Sequence, residues 1–216
     1  MRYFIKFIKK ILPGKLINFL SEKTDFRRNR IKKKLKFNNY KNILFFGSNY
    51  GGWSFLKNNY LKKKYIISAG LGEDASFDVE LIRKYKCKII VVDPTPNAIK
   101  HYNQIIDNKK RRKSIPYVEG GKQSIDSYDL SNINERNYIL IKKALYDIEG
   151  KELKFYKPLN NHHVSYSLKE YQYDYKERKN YIKVKTTTVK SIMKKFNIKN
   201  LEIIKLDTEV LLQKSY

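Results

Sequence analysis

The segment that decides the fold runs from Tyr65 to Pro96 and reads YIISAGLGEDASFDVELIRKYKCKIIVVDPTP. An apolar, β-rich run over 65–69 stops at a Gly-Leu-Gly turn, and from Ser76 apolar residues recur at the spacing of one helix face. A second apolar run over 88–92 ends at Asp93. The segment therefore predicts a strand, a glycine turn, a helix and a second parallel strand with an acid at its tip.

This order of features is typical of a nucleoside site. Gly70 and Gly72 let the backbone turn tightly and approach a ligand, and the helix that follows offers free N–H groups at its first turn. Asp93 follows Gly72 by the roughly 20 residues at which a carboxylate usually holds a ribose diol. The competing interpretation is a glycine turn of an ordinary α/β fold, with Asp93 as a helix cap.

Two acids after the turn bear on the kind of nucleoside. Glu73 and Asp74 lie where a diphosphate would be placed, and Ala75 takes the position of the third glycine of the dinucleotide pattern. Carboxylates repel phosphate and attract an amine. S-adenosylmethionine carries a ribose, a sulfonium and an amino group but no phosphate. We therefore favour it over NAD, with Gly70, Gly72, Glu73, Asp74 and Asp93 as cofactor-binding residues.

Five motifs in chain order resemble one family. They are GLGEDASFD (70–78), DPTP (93–96), HVSYS (163–167), VKTTTV (184–189) and IKLDTE (204–209). Together they resemble the FkbM family of S-adenosylmethionine-dependent methyltransferases, over about residues 47–209. The resemblance implies an α/β, Rossmann-like class I methyltransferase sheet with flanking helices. It also implies O-methylation of a small or carbohydrate-like acceptor, as in surface-glycan or secondary-metabolite synthesis.

The remaining site candidates lie later in the chain. Asp207 ends a strand predicted over 201–206, and a strand tip at the carboxyl edge of such a sheet faces the ligand. His163 and Ser165 are catalytic candidates on the acceptor side together with Asp207, with the histidine as general base. The alternative is a loop whose hydroxyls satisfy their own backbone. Ala144, near the end of a third strand predicted over 138–146, is a candidate for contact with adenine.

Several local predictions complete the domain. Thr95 is a suitable N-cap for a helix that starts at Pro96. The third strand is expected to return through Glu149-Gly150 to 153–156 in a hairpin. The segment GSNYGGW (47–53) resembles the glycine–tryptophan segment that leads into FkbM domains. Its Tyr50 and Trp53 are placed to cover an adenosine, although Trp53 is equally suited to be a core anchor.

Composition leaves the partner open. The 216 residues carry a net charge of +26, from 47 basic and 21 acidic residues, which favours nucleic acid or an anionic membrane as partner. Codon bias in an A/T-rich genome also produces this excess of lysine, and we take nucleic acid as the less favoured partner. Residues 1–12 have basic amphipathic spacing, which fits peripheral contact with a membrane or packing on the chain's own domain.

The cysteine and histidine content excludes a disulfide framework and a structural zinc site, and we expect no metal. The single Cys87 is compatible with the cytoplasm, and contact with the membrane surface would be peripheral. The predicted organisation is a basic helical extension over 1–37, the methyltransferase-like domain over 38–209 and a divergent end over 210–216.

Val210 stands where the resemblance expects glycine, and the resemblance implies further strands after Asp207 that are missing from this sequence. We therefore expect a sheet that stops after its fourth core strand. That strand would be an apolar edge open to self-association. Two rival functions follow: a non-catalytic, truncated methyltransferase-like domain, and a methyltransferase that acts on RNA.

Overall fold

The computed structural model describes residues 43–57, 59–158, 166–168 and 180–207. By its internal contacts the chain divides into two units, Met1–Ile43 and Leu44–Tyr216, and the second is described below. The predictions for residues 1–12, for His163 and Ser165, and for the end over 210–216 lie outside the described residues.

Strands and helices alternate through most of the second unit, as an α/β fold requires. The strands are β1 (Ile43–Phe46), β2 (Trp53–Leu56), β3 (Tyr65–Ala69), β4 (Lys88–Val92), β5 (Tyr138–Ile141), β6 (Ala144–Leu145), β7 (Glu152–Tyr156), β8 (Tyr181–Thr187) and β9 (Ile203–Leu206). The α-helices of the described residues are α1 (Ser76–Tyr85), α2 (Pro96–Asp107) and α3 (Val189–Lys195).

The central sheet is parallel and has the order β5-β4-β3-β9. Ile66 of β3 lies in register with Ile89 of β4 on one side and with Ile203 of β9 on the other. The chain moves outward from β3 through β4 to β5 and later returns to add β9 on the opposite side of β3. The strand order therefore reverses between β3 and β9, and in open α/β sheets this is where ligands bind.

Helices cover both faces of the central sheet, which explains why its strands are apolar on both sides. On one face, Ile66 and Val91 pack in a core with residues of α1 and α2, among them Leu81 and Ile105. On the other face, Ile67, Ala69, Ile90 and Val92 pack with Leu145 and with Ile192 of α3. The arrangement is compatible with a Rossmann-like fold, and the prediction of an α/β fold with a parallel core is confirmed.

Two predictions about the middle of the chain were wrong. The run over 138–146 is not one strand, because β5 ends at Ile141 and β6 begins at Ala144 in a different sheet. The exposed Lys142 separates them. The hairpin return is also absent, since β7 pairs antiparallel with β8 and not with the strand before it. β8 also pairs with β6, in parallel, which gives the second sheet the order β6-β8-β7.

A threonine is the N-cap residue of both α2 and α3, but only one of the two side chains makes a capping hydrogen bond. Pro96 is the first residue of α2 and Thr95 is its N-cap residue, as predicted, but the Thr95 side chain makes no capping hydrogen bond. At α3 the Thr188 hydroxyl does accept from the backbone N–H of Ser191 at 3.0 Å. In the part of the chain that the structure describes, no helix is long and apolar enough to cross a membrane.

Candidate functional site

A cleft of about 450 Å³ lies at the carboxyl edge of the central sheet, where the strand order reverses. The ends of β3, β4 and β9 form its floor. The side chains and backbone that line it come from many parts of the chain: Tyr50 and Gly51; Gly70 to Asp74; Val92 to Thr95; Gly121; Ala144 and Leu145; Phe155; Tyr166; and Leu206 and Asp207. Segments distant in sequence therefore meet at one site.

Most of the predicted site residues lie together in this cleft. Gly70, Gly72, Glu73, Asp74, Asp93, Ala144 and Asp207 all line it. The two glycines adopt left-handed backbone conformations, with φ of 85° and 55°, which a side chain would oppose. The side chain of Asp207 at the end of β9 is 55% exposed, so it is open to a ligand. His163 and Ser165 are outside the described residues.

Asp93 holds the glycine turn through its carboxylate. Its Oδ2 accepts from the backbone N–H groups of Leu71 at 2.9 Å and Gly72 at 3.1 Å. Its Oδ1 accepts from the backbone N–H of Thr95 at 2.9 Å and from the Thr95 hydroxyl at 2.7 Å. A carboxylate offers about four lone-pair positions, so four donors use its full capacity. The hydroxyl is the donor that can rotate away and free an acceptor position.

Asp74 joins the glycine turn to the segment before β2. Its Oδ2 accepts from the Ser48 hydroxyl at 2.5 Å, and its Oδ1 accepts from the backbone N–H of Ser76 at 2.9 Å. The Ser76 hydroxyl in turn accepts from the backbone N–H of Ser48 at 2.7 Å. Asp74 thus satisfies one free N–H at the start of α1 and is 8% exposed.

Tyr50 lines the cleft, whereas Trp53 does not. A Cβ atom added to Gly121 would come within 2.7 Å of the Tyr50 ring, so a larger residue there would require the ring to move. Trp53 in β2 is 40% exposed and is therefore not a core anchor either. The Tyr50 ring is 61% exposed, which leaves its face accessible.

The cleft is acidic. Four carboxylates line it, from Glu73, Asp74, Asp93 and Asp207, and the lining residues that the structure describes include no lysine, arginine or histidine. Two of the four have a lysine nearby: Lys122 Nζ lies 3.5 Å from Glu73, and Lys205 Nζ lies 3.7 Å from Asp207. Acidic groups thus outnumber the basic ones around the cleft, whereas the whole chain carries a net charge of +26.

Part of the cleft lining, called the aromatic wall below, is apolar and aromatic. The second sheet supplies Ala144, Leu145 and Phe155, and Tyr166 and Leu206 complete this wall. Tyr166 is next to Ser167, which bridges to Tyr156 of β7. A ligand in the cleft would therefore meet both carboxylates and apolar or aromatic side chains.

A buried pair of polar side chains, Tyr128 and His101, supports the start of α1 through hydrogen bonds. The backbone N–H of Ala75 donates to the Tyr128 hydroxyl oxygen at 3.0 Å, and the His101 Nε2 lies 2.9 Å from the same oxygen. Which of Tyr128 and His101 donates in this second hydrogen bond depends on the tautomer of His101. Burial lowers the pKa of His101 to about 4 and raises that of Tyr128 well above its usual range, so both are neutral near pH 7.

Sequence reasoning missed the residues that support the site from outside it. Lys205 appears in the sequence as the lysine of an apolar strand, yet it is 5% exposed and donates to the Gly70 carbonyl. Its place inside a strongly apolar run was the available signal. Ser48 and Tyr166 lie in the quoted motifs GSNYGGW and HVSYS but were not singled out there. Phe155 and Gly121 gave no signal, because contacts between distant segments bring them to the cleft.

The chain was compared with models of protein families, with curated proteins and with solved structures. No family model, curated protein or solved structure matches it.

Proposed function

We propose that this chain is an S-adenosylmethionine-dependent methyltransferase with a class I methyltransferase sheet, which transfers a methyl group to a hydroxyl oxygen. The observation that carries the proposal is the acidic lining of the cleft at the strand-order reversal, in a chain that is otherwise strongly basic. Such a cleft selects for a nucleoside that is cationic and lacks phosphate.

The charge argument separates the common nucleoside cofactors. A dinucleotide or nucleoside triphosphate would place its phosphates at the start of α1, where Glu73 and Asp74 lie. Two unit charges 4 Å apart interact by about 4 kcal/mol at an effective dielectric constant of about 20, which is enough to reverse a preference. Phosphate is therefore disfavoured here, and a sulfonium or ammonium is favoured.

The residues present fit such a cofactor. Asp93 would hold the ribose once the Thr95 hydroxyl rotates off Oδ1, and Ala144 and Leu145 offer an apolar surface to adenine. Bound S-adenosylmethionine supplies an electrophilic methyl group. Asp207 is exposed at the tip of β9, where its carboxylate can accept a hydroxyl proton from the acceptor.

The acceptor would enter past the aromatic wall. Phe155 and Tyr166 line the cleft, and aromatic rings accept the apolar faces of sugars as well as other aromatic rings. This favours a small or carbohydrate-like acceptor with a free hydroxyl. Positioning of the two reactants would supply most of the rate acceleration.

Ligand-induced thermal stabilisation tests the proposal, because a ligand that binds only the folded chain raises its Tm. The ligands are S-adenosylmethionine, NAD and ATP at equal concentration, and we expect a rise with S-adenosylmethionine alone. Glu73→Lys should reduce that rise and increase the response to ATP, whereas Glu73→Gln, its uncharged control, should change it less. A larger rise with NAD or ATP than with S-adenosylmethionine in the unsubstituted chain would overturn the proposal.

A further inference from the structure

The amino edge of the central sheet, opposite the cleft, is strongly basic. The connections that lead into β3, β4, β5 and β9 meet at this edge. Each carries exposed basic residues: Lys62, Lys63 and Lys64 before β3; Arg83, Lys84 and Lys86 before β4; Lys109, Lys110, Arg112 and Arg136 before β5; and Lys194, Lys195 and Lys199 before β9. These residues are named the basic edge below.

Few of these charges are neutralised locally. Lys64, Arg83 and Lys109 pair with Glu202, Asp129 and Glu135, at 3.9, 3.9 and 2.6 Å. Among the described residues, no carboxylate lies within ion-pair distance of Lys63, Lys86 or Lys110. The two edges of one sheet therefore carry opposite charge, with carboxylates around the cleft and ammonium groups at the far end.

Three of these lysines occupy backbone positions that disfavour a lysine. Lys63, Lys86 and Lys110 have φ of 59°, 53° and 77°. The left-handed conformation costs a residue with a side chain about 1–2 kcal/mol, and glycine or asparagine is the usual choice there. At a comparable turn after α3 the chain does use asparagine, Asn197, with φ of 52°. A bias toward A/T-rich codons supplies asparagine as readily as lysine, so composition alone does not explain the three lysines.

We propose that the basic edge docks on an anionic phospholipid bilayer and turns the acidic cleft away from it. The charges are spread over four neighbouring connections, so they form a broad surface and not a groove for a strand. Lysines predominate, and a lysine acts as a point charge without the planar geometry that arginine brings to nucleic-acid recognition. Tyr60, which is 79% exposed, precedes Lys62–Lys64, and tyrosine favours the membrane–water interface.

This surface is distinct from residues 1–12, and the proposal is independent of what the cleft binds. Each lysine near an anionic bilayer contributes about 1 kcal/mol, and the attraction falls off over about 8 Å at physiological ionic strength. When the basic edge faces the bilayer, its lysines therefore contribute far more to membrane affinity than the same number of lysines at the carboxyl edge would.

Vesicle co-sedimentation of the full-length chain tests the proposal. The vesicles contain phosphatidylcholine with about 30% phosphatidylserine, in about 0.15 M salt. The variant is Lys63→Asn, Lys86→Asn, Lys110→Asn, in which asparagine suits the left-handed turns, so that folding is retained. The matched control is Lys100→Gln, Lys142→Gln, Lys190→Gln, which removes the same charge from exposed positions elsewhere.

We expect the variant at the basic edge to lose roughly a hundredfold in vesicle affinity, with its Tm equal to or above that of the unsubstituted chain, and the control to stay within about threefold. Equal losses in the two variants would show that only net charge acts and would overturn the proposal. So would an unchanged affinity in the basic-edge variant, or a loss of binding to polyuridine RNA without a loss of vesicle binding.

Discussion

The Lys205 ammonium donates a hydrogen bond to the carbonyl oxygen of Gly70 at 3.0 Å, although the two residues are 135 positions apart in the chain. The contact joins β9 to the glycine turn, so the late strand fixes a backbone group at the floor of the cleft. Next to it on the same sheet face, the Ser68 hydroxyl donates to the buried Asp78 carboxylate at 2.9 Å. Lys205 and Asp78 thus place opposite charges beneath the turn.

Replacing Lys205 with methionine should destabilise the fold by about 3 kcal/mol, since it leaves a buried charge without its partner. Burial raises the pKa of Asp78, and the nearby Lys205 offsets part of this rise. Without Lys205 the Asp78 carboxyl would take up a proton more readily in the folded state. The stability deficit of Lys205→Met should therefore narrow as the pH falls from neutrality into the acidic range.

Urea denaturation across that pH range measures the effect. Lys185→Met, at an exposed position of β8, is the matched control and should stay within about 0.5 kcal/mol of the unsubstituted chain. Adding Asp78→Asn to Lys205→Met should recover part of the loss. A Lys205→Met chain as stable as the control variant would contradict the structural role.

Asp93→Ala should destabilise the chain by about 3 kcal/mol even without ligand, because it leaves the backbone N–H groups of Leu71, Gly72 and Thr95 without their acceptor. Asp93→Asn should also lose stability, because the amide NH₂ that replaces one carboxylate oxygen would face N–H or O–H donors and could not accept their hydrogen bonds. Chemical denaturation of the ligand-free protein measures both. If Asp93→Ala cost less than about 0.5 kcal/mol, Asp93 would not hold the turn. A loss of cofactor binding in Asp93→Ala can be attributed to the binding site only if the stability of that variant is measured as well.

Thr95→Ala should raise the affinity for S-adenosylmethionine, on the proposed function, by about fivefold. Its hydroxyl competes with a ribose hydroxyl for Asp93 Oδ1 and makes no capping bond that α2 would lose. Calorimetric titration compares it with Thr95→Ser, which keeps the hydroxyl and should bind as the unsubstituted chain does. Weaker binding by Thr95→Ala would show that the ribose does not replace this hydroxyl.

His101 makes the fold sensitive to mild acid. Its pKa is lowered to about 4 by burial, from an ordinary 6.5. Between these values the unfolded chain binds a proton that the folded chain does not. Stability should therefore fall as the pH drops through this range, by about 3 kcal/mol in total. His101→Phe should remove this pH dependence while losing the bond to Tyr128. An unchanged slope of stability against pH in that variant would contradict the assignment.

Local sequence pattern was sufficient for the glycine turn and its flanking elements. β3, α1 and β4 follow from apolar periodicity, and the positions of Gly70, Gly72 and Asp93 follow from chain order at a parallel strand tip. The split between β5 and β6 was not predicted, although the adjacent Lys142 and Lys143 interrupt the apolar run. Neighbouring residues of a strand point to opposite faces, so both lysines could not face solvent in one strand. Whether residues 138–146 form one strand or two strands in different sheets depends on which other strands pair with them.

Contacts between segments that are distant in the chain could not be predicted from the sequence. Ser48 reaches Asp74, and Lys205 reaches Gly70, only because β9 lies beside β3 and the segment before β2 lies over the turn. Glu73 and Asp74 already indicated in the sequence that part of the cleft would be acidic. Asp93 and Asp207 were predicted to join them as acids at strand tips. The four hydrogen bonds by which Asp93 holds the turn were not predictable from the sequence.

On the proposed function, the cleft at the strand-order reversal binds S-adenosylmethionine because its carboxylates attract a cationic group and repel phosphate. Calorimetric titration of the unsubstituted chain with S-adenosylmethionine, beside NAD under the same conditions, tests it most directly. We predict a Kd for S-adenosylmethionine on the order of micromolar, or about −8 kcal/mol, and no measurable binding of NAD. No heat with S-adenosylmethionine from a folded chain, or tighter binding of NAD, would contradict the account.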